Sequence, residues 1–226
     1  MNSNSSPTPN PDRINRFVEN GLDSKDIASP MDPPEAFAIP EAARQSIAYE
    51  DLARPLQRLF DDHVEFIRVL EGFEKSLVAF REGQWQMNPD ISKAFRDFFY
   101  FMDNQTPAHN AKEEKSLFPL LRERLISAGE CSPVINTTTP TDVMEDEHQQ
   151  VFQSASLVFN LLGIGAKLPD EKSRGIVFQH AVDAGREICD IMKLHIFREN
   201  EVLLPLAQKL ISAEEFAVID QKMQGL

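Results

Sequence analysis

The chain has 226 residues, 42% of them hydrophobic and 26% charged, with a formal net charge of −13. That length supports one sizeable core, or a core plus an extension, and the acid excess repels phosphate backbones and anionic lipid, which argues against nucleic-acid and membrane partners. No apolar run approaches the ~20 residues of a bilayer crossing, and the opening MNSNSSPTPNPDR lacks the apolar stretch of a secretory signal.

In chain order, residues 1 to about 12 are mostly Asn, Ser and Pro and read as disordered. Residues 13 to 30 offer one short amphipathic stretch (Ile14, Phe17, Val18, Leu22), and Pro30, Pro33, Pro34 and Pro40 mark an irregular connector. Residues 1–45 are therefore expected to be an irregular or disordered arm, with the bland role of a strap on the bundle. Residues 46–226 form the second unit, helical throughout.

The first helix is expected from about Pro55 to Arg81, with the seam Leu56, Leu59/Phe60, His63, Ile67, Leu70, Phe73, Leu77 and Phe80. The second runs from about Asp90 to Ala128, with Ile91, Phe95, Phe98, Met102, Gln105, His109, Glu113, Leu117 and Leu120/Leu121. The third opens at Thr139-Pro140-Thr141-Asp142, an N-cap, a proline at the first helical position and an acid three residues on; its seam is Met144, His148, Val151, Ala155, Val158 and Leu162. The fourth runs from about Pro169 to Leu210, with Val177, Ala181, Ala184, Ile188, Ile191, His195, Glu199, Val202 and Leu206. A short last helix starts at Ser212, with Glu215 closing a capping box. Four long helices with polar or Pro-rich connections predict an all-α, up-down-up-down four-helix bundle. Pro107, Pro119 and Pro205 fall inside helical stretches and should kink or end them.

Six residues break the apolar pattern. His63, His109, His148 and His195 each stand where an apolar side chain is expected, and so do Glu113 and Glu199. A buried carboxylate is costly unless it is paired or bound to a cation. The second helix reads His109-Asn110-Ala111-Lys112-Glu113 followed by Leu117-Phe118-Pro119-Leu120. The fourth reads His195-Ile196-Phe197-Arg198-Glu199 followed by Leu203-Leu204-Pro205-Leu206. Both are HxxxExxxLxPL with a basic residue before the Glu. The first and third helices share Asp61-Asp62-His63 and Asp146-Glu147-His148. The chain therefore reads as two similar helix pairs about a pseudo-twofold axis.

Residues i and i+4 share a helix face, about 6 Å apart along the axis. Two facing pairs would supply four imidazoles and two carboxylates. With both Glu bridging, each of two metals has two His and two bridging oxygens, with room for an oxo or hydroxo bridge and an open position. Mixed nitrogen and oxygen ligation of this kind suits iron or manganese, with zinc as a competitor. A lone His on an apolar face is usually a satisfied core residue, and one HxxxE is usually an exposed pair. Four of the five histidines at mid-seam of four helices favour a metal site over coincidence. His180, about 22 Å from His195 along the same helix, is structural or surface. Glu114 and Glu147 adjoin the ligands and are candidates to hold imidazole N–H groups, but a solvated face is the favoured reading for both. Tyr100 is too far from His109 to be a ligand, and the run Phe98-Phe99-Tyr100-Phe101 reads as core. Cys131 and Cys189 form no CxxC and read as small buried or half-exposed thiols of a cytoplasmic protein.

These residues resemble the hemerythrin-like HHE cation-binding family over roughly residues 55 to 210. The resemblance implies a non-haem di-iron centre carried by His63, His109, Glu113, His148, His195 and Glu199. Oxygen-carrying hemerythrins have a further histidine one turn after the third-helix ligand, where this chain has Phe152, and end on an Asp five residues after the last His, where this chain has Glu199 four after. The set of four His and two Glu is similar to that of iron-centre repair proteins that answer nitrosative and oxidative stress. Those also carry an N-terminal cysteine-bearing segment, and this chain has no cysteine before Cys131. The implied function is binding of, or reaction with, O2, NO or peroxide, in concert with an electron donor or protein partner. The alternative from another class is an iron or oxygen sensor that acts through a partner without turnover.

Overall fold

A computed structural model describes residues 47–131 and 138–226. The expectations for the arm at 1–45 lie outside the described residues. Among those described there is no strand, and no helix is long and apolar enough to cross a membrane.

The four expected rods are present, two of them segmented. A 3-10 turn at Tyr49–Asp51 leads into α1 (Arg54–Glu82). The second rod is α2 (Pro89–Asn104), α3 (Thr106–Lys112), a π-helical turn at Glu113–Leu117 and α4 (Phe118–Ala128). The third is α5 (Pro140–Lys167). The fourth is α6 (Glu171–Arg198), a π-helical turn at Glu199–Leu203 and α7 (Leu204–Leu210). The short α8 (Ala213–Met223) lies against α1 and the first π turn. In this bundle α5 packs along α6, α1 packs along both α2 and α6, and α2 meets α5 more lightly.

The starts of the helices are written in local chemistry. Thr139 and Asp142 form the expected capping box ahead of Pro140, and Ser212 and Glu215 form the second one. The Asn88 side chain accepts from the Ile91 N–H at 2.8 Å, and Asp170 accepts from the Ser173 N–H at 2.7 Å. Each acceptor satisfies one of the orphan donors of a first turn. Between α1 and α2 the chain turns through Gln84 and Trp85 at φ 53° and 65°, left-handed values that cost energy for residues with a Cβ. Packing of the Trp85 ring against Phe80 and Phe178, at 5.5 and 6.0 Å, offsets that cost.

The prolines act less uniformly than expected. Pro107 does break the second rod: α2 stops at Asn104 and α3 restarts at Thr106. Gln105, expected in the seam, is consequently exposed, and Thr106 is buried in its place. Pro119 and Pro205 do not end their rods. Proline has no N–H for the carbonyl four residues back, and its ring crowds that carbonyl. The helix answers by widening one turn earlier: the Phe118 N–H donates to the Glu113 carbonyl, and the Leu204 N–H to the Glu199 carbonyl, both five residues back. Each π turn thus begins at the seam glutamate.

The core divides in two. One cluster gathers Phe66, Phe73, Phe98, Met102, Val151, Phe178, Met192 and their neighbours. The other gathers Leu56, Leu59, Leu117, Phe118, Met144, Leu203 and the inner face of α8. The buried stripe is wider than the expected seam. Phe66, Val69, Phe101 and Val182 are buried beside it, whereas Ile67, Leu162 and Ile191 are only half-buried. Of the run 98–101, Phe98 and Phe101 are core, Phe99 is half-buried and Tyr100 is exposed. Cys189 is fully buried, which pushes its thiol up to about 12; Cys131 is half-buried.

Candidate metal centre

The layer between the two apolar clusters is polar. On α1, His63 follows Leu59 and precedes Phe66; on α5, His148 follows Met144 and precedes Val151. His109 on α3 and His195 on α6 enter the same layer. Glu113 and Glu199, at the mouths of the two π turns, enter it one helical turn on. All six predicted side chains are buried, with Glu113 at 1% and Glu199 at 0% exposure. His180 is exposed on the surface.

The histidines meet in pairs. His63 and His109 bring their Nε2 atoms to 3.2 Å, and so do His148 and His195. Two ligand atoms each about 2.1 Å from one ion, at a right angle or slightly more, stand about 3.0 to 3.3 Å apart. Each pair has that separation.

Both carboxylates reach both pairs. Glu113 places Oε1 3.3 Å from His109 Nε2 and Oε2 3.4 Å from His148 Nε2. Glu199 Oε2 lies 3.0 Å from His63 Nε2 and 3.4 Å from His195 Nε2. Yet Glu113 Oε2 and both oxygens of Glu199 are buried with no hydrogen-bond donor. Leaving such atoms unmet costs on the order of 1–3 kcal/mol each, more for a charge. The donor set, four imidazole nitrogens around two carboxylates with unmet oxygens, fits one or two cations. Geometry alone groups His63, His109, Glu113 and Glu199 as one potential ligand set and His148, His195 and Glu199 as another.

The outer faces of the imidazoles are all held. His109 Nδ1 faces Asp62 Oδ2 at 3.2 Å, and His195 Nδ1 faces Glu147 Oε2 at 2.8 Å. His148 Nδ1 faces Glu114 Oε1 at 2.8 Å, and His63 Nδ1 faces Asn200 Oδ1 at 2.7 Å. Ionised carboxylates and an amide oxygen only accept, so each Nδ1 carries a proton and Nε2 faces inward, where its lone pair becomes available to a metal once any proton on it is displaced. The basic residues before the two seam glutamates act in parallel. Lys112 donates to Asp62 at 2.7 Å, and Arg198 donates to Glu147 at 2.6 Å.

Glu114 and Glu147 therefore do not lie on an idle solvated face, as the sequence suggested; each orients a histidine. Asp62, Lys112 and Arg198 stand in the repeated phrases without an assigned role, and Asn200 was not singled out. Their signal was the repeat itself. Asp62 and Glu147 each precede a lone His, Glu114 and Asn200 each follow a seam Glu, and Lys112 and Arg198 each precede one.

The hemerythrin HHE cation binding domain, as a family model, matches residues 54–207, more than half of the chain. The chain belongs to that family. No curated protein matches it. The matched region of this hemerythrin HHE domain includes all six inner residues and all six outer ones and leaves out α8.

The electrostatics of the HHE layer favour positive charge. Burial opposes protonation of His109, but the carboxylates of Glu113, Asp62 and Glu199 outweigh it and raise the imidazole to about 10. His148 is raised likewise, against burial, chiefly by Glu113. Burial would push Glu113 up, yet His109 and His148 hold it well below the usual carboxylate range. Protons on His109 and His148 thus balance Glu113 when no other cation does, and a metal ion would displace them.

Proposed function

We propose that this chain is a non-haem di-iron protein in which His63, His109, Glu113, His148, His195 and Glu199 hold two irons, and that it binds or reacts with O2, NO or peroxide in a stress response or in iron-centre repair. One observation carries the reading: two buried carboxylates with unmet oxygens, each touching both members of a pair of histidine pairs. Manganese or zinc would satisfy the same donors less specifically for this chemistry. Bound there, the irons would supply one-electron redox chemistry toward a small ligand.

The chain's own residues do the rest. The Nδ1–H groups, fixed by Asp62, Glu114, Glu147 and Asn200, lock the four rings with Nε2 inward. Glu113 and Glu199 place negative charge between the histidine pairs, where it would offset the charge of bound metal. The apolar clusters on either side exclude water from the layer and strengthen every charge interaction inside it.

The test is to mix iron-loaded protein with NO or peroxide and follow ligand consumption by stopped flow. Turnover supports the redox reading. Iron-dependent folding with no consumption of O2, NO or peroxide would instead favour a sensor that works through a partner.

A further inference from the structure

The two halves of the centre are built alike but do not carry the same charge. Around His63 and His109 the outer groups are Asp62, neutralised by Lys112, and the neutral amide of Asn200. Around His148 and His195 they are Glu147, neutralised by Arg198, and the carboxylate of Glu114. The pseudo-twofold axis exchanges Glu114 with Asn200, so the second half carries one more negative charge against an imidazole N–H. A carboxylate on Nδ1–H makes the opposite nitrogen a better donor to a metal; an amide does so less. The inner carboxylates do not cancel this, because each touches both halves.

Resting on the di-metal reading above, we propose that the two metal positions are inequivalent: the first ion enters the His148/His195 half and is held more tightly, and the His63/His109 half fills last and empties first, with Glu114 against Asn200 as the residue pair that sets the order. The count of inner ligand atoms leans the other way, with four residues gathered around His63/His109 and three around His148/His195, so the order of filling decides between outer charge and inner ligand number. Glu114 is 30% exposed, so water screens part of its charge.

The experiment is a titration of the metal-free full chain with Zn(II), followed by calorimetry and by NMR of ring-labelled histidine. At one equivalent, the His148 and His195 rings should shift while His63 and His109 stay put, and the two affinities should differ about tenfold or more. Glu114→Gln keeps an acceptor on Nδ1 and removes only the charge; it should weaken the first step about tenfold and merge the two. Asn200→Asp should strengthen the second step. Simultaneous filling, first filling at His63/His109, or a Glu114→Gln titration like the parent's would each overturn the proposed order while leaving two-metal binding intact. No binding at either half would overturn the metal reading itself.

Discussion

The apolar ends of the bundle and its polar middle solve burial in different ways. At the ends, apolar side chains pack on one another: Phe73 stacks on Phe98 at 3.8 Å, and Leu56, Leu59 and Leu121 are fully buried. In the middle, the chain satisfies the outward nitrogen of each imidazole and leaves Glu113 Oε2 and both Glu199 oxygens unmet. A layer that holds its imidazoles from the outside and leaves buried carboxylate oxygens unmet on the inside is suited to something the polypeptide does not itself supply. The ends hold the fold, and the middle offers a group of buried ligands that could hold a cation.

Substitutions separate the two roles. The largest effect belongs to the shared carboxylates: Glu113→Ala and Glu199→Ala should each leave bound iron well below the parent's by elemental analysis, with helical circular dichroism retained. If both variants kept the parent's full metal, Glu113 and Glu199 would not be metal ligands. Next come the carboxylates behind the imidazoles. Asp62→Ala and Glu147→Ala should each weaken metal affinity by about 10- to 100-fold in competition with a chromophoric chelator, with the fold unchanged.

An end-layer change should do the reverse. A Cβ at Gly185 would lie 2.8 Å from Leu77 Cδ1 and 3.4 Å from Phe73, all in the packed core. Gly185→Ala should therefore cost about 1–3 kcal/mol in denaturant unfolding and leave metal stoichiometry alone. The smallest effect is at the rim, where Ser212 accepts from the Glu215 N–H and starts α8. Ser212→Ala should cost about 1 kcal/mol by the same unfolding measurement, again without loss of metal.

The bundle and the burial of six polar residues in one layer were legible because they rest on periodicity. Six polar residues at apolar positions on four helices signal a buried polar layer whatever the tertiary details. The outer residues were harder. Asp62, Glu114, Glu147 and Asn200 lie one position from a ligand, about 100° around the helix, at the edge of the stripe. Whether such a residue faces water or a neighbouring helix depends on how helices pack, which no single helix encodes. The π turns were missed for a different reason. A proline predicts a lost N–H bond but not the repair, and here the repair is a wider turn that opens at Glu113 and Glu199. At Gln105 the periodic seam runs straight through the break that Pro107 makes, and the exposed side chain records that.

Whether this layer holds metal is decided by the metal content of the full chain purified without chelator. About two irons per chain are expected, falling sharply in Glu113→Ala and Glu199→Ala. A correctly folded chain with no bound metal, and none taken up when iron is supplied without oxygen, would contradict that expectation. The six buried residues would then serve only one another.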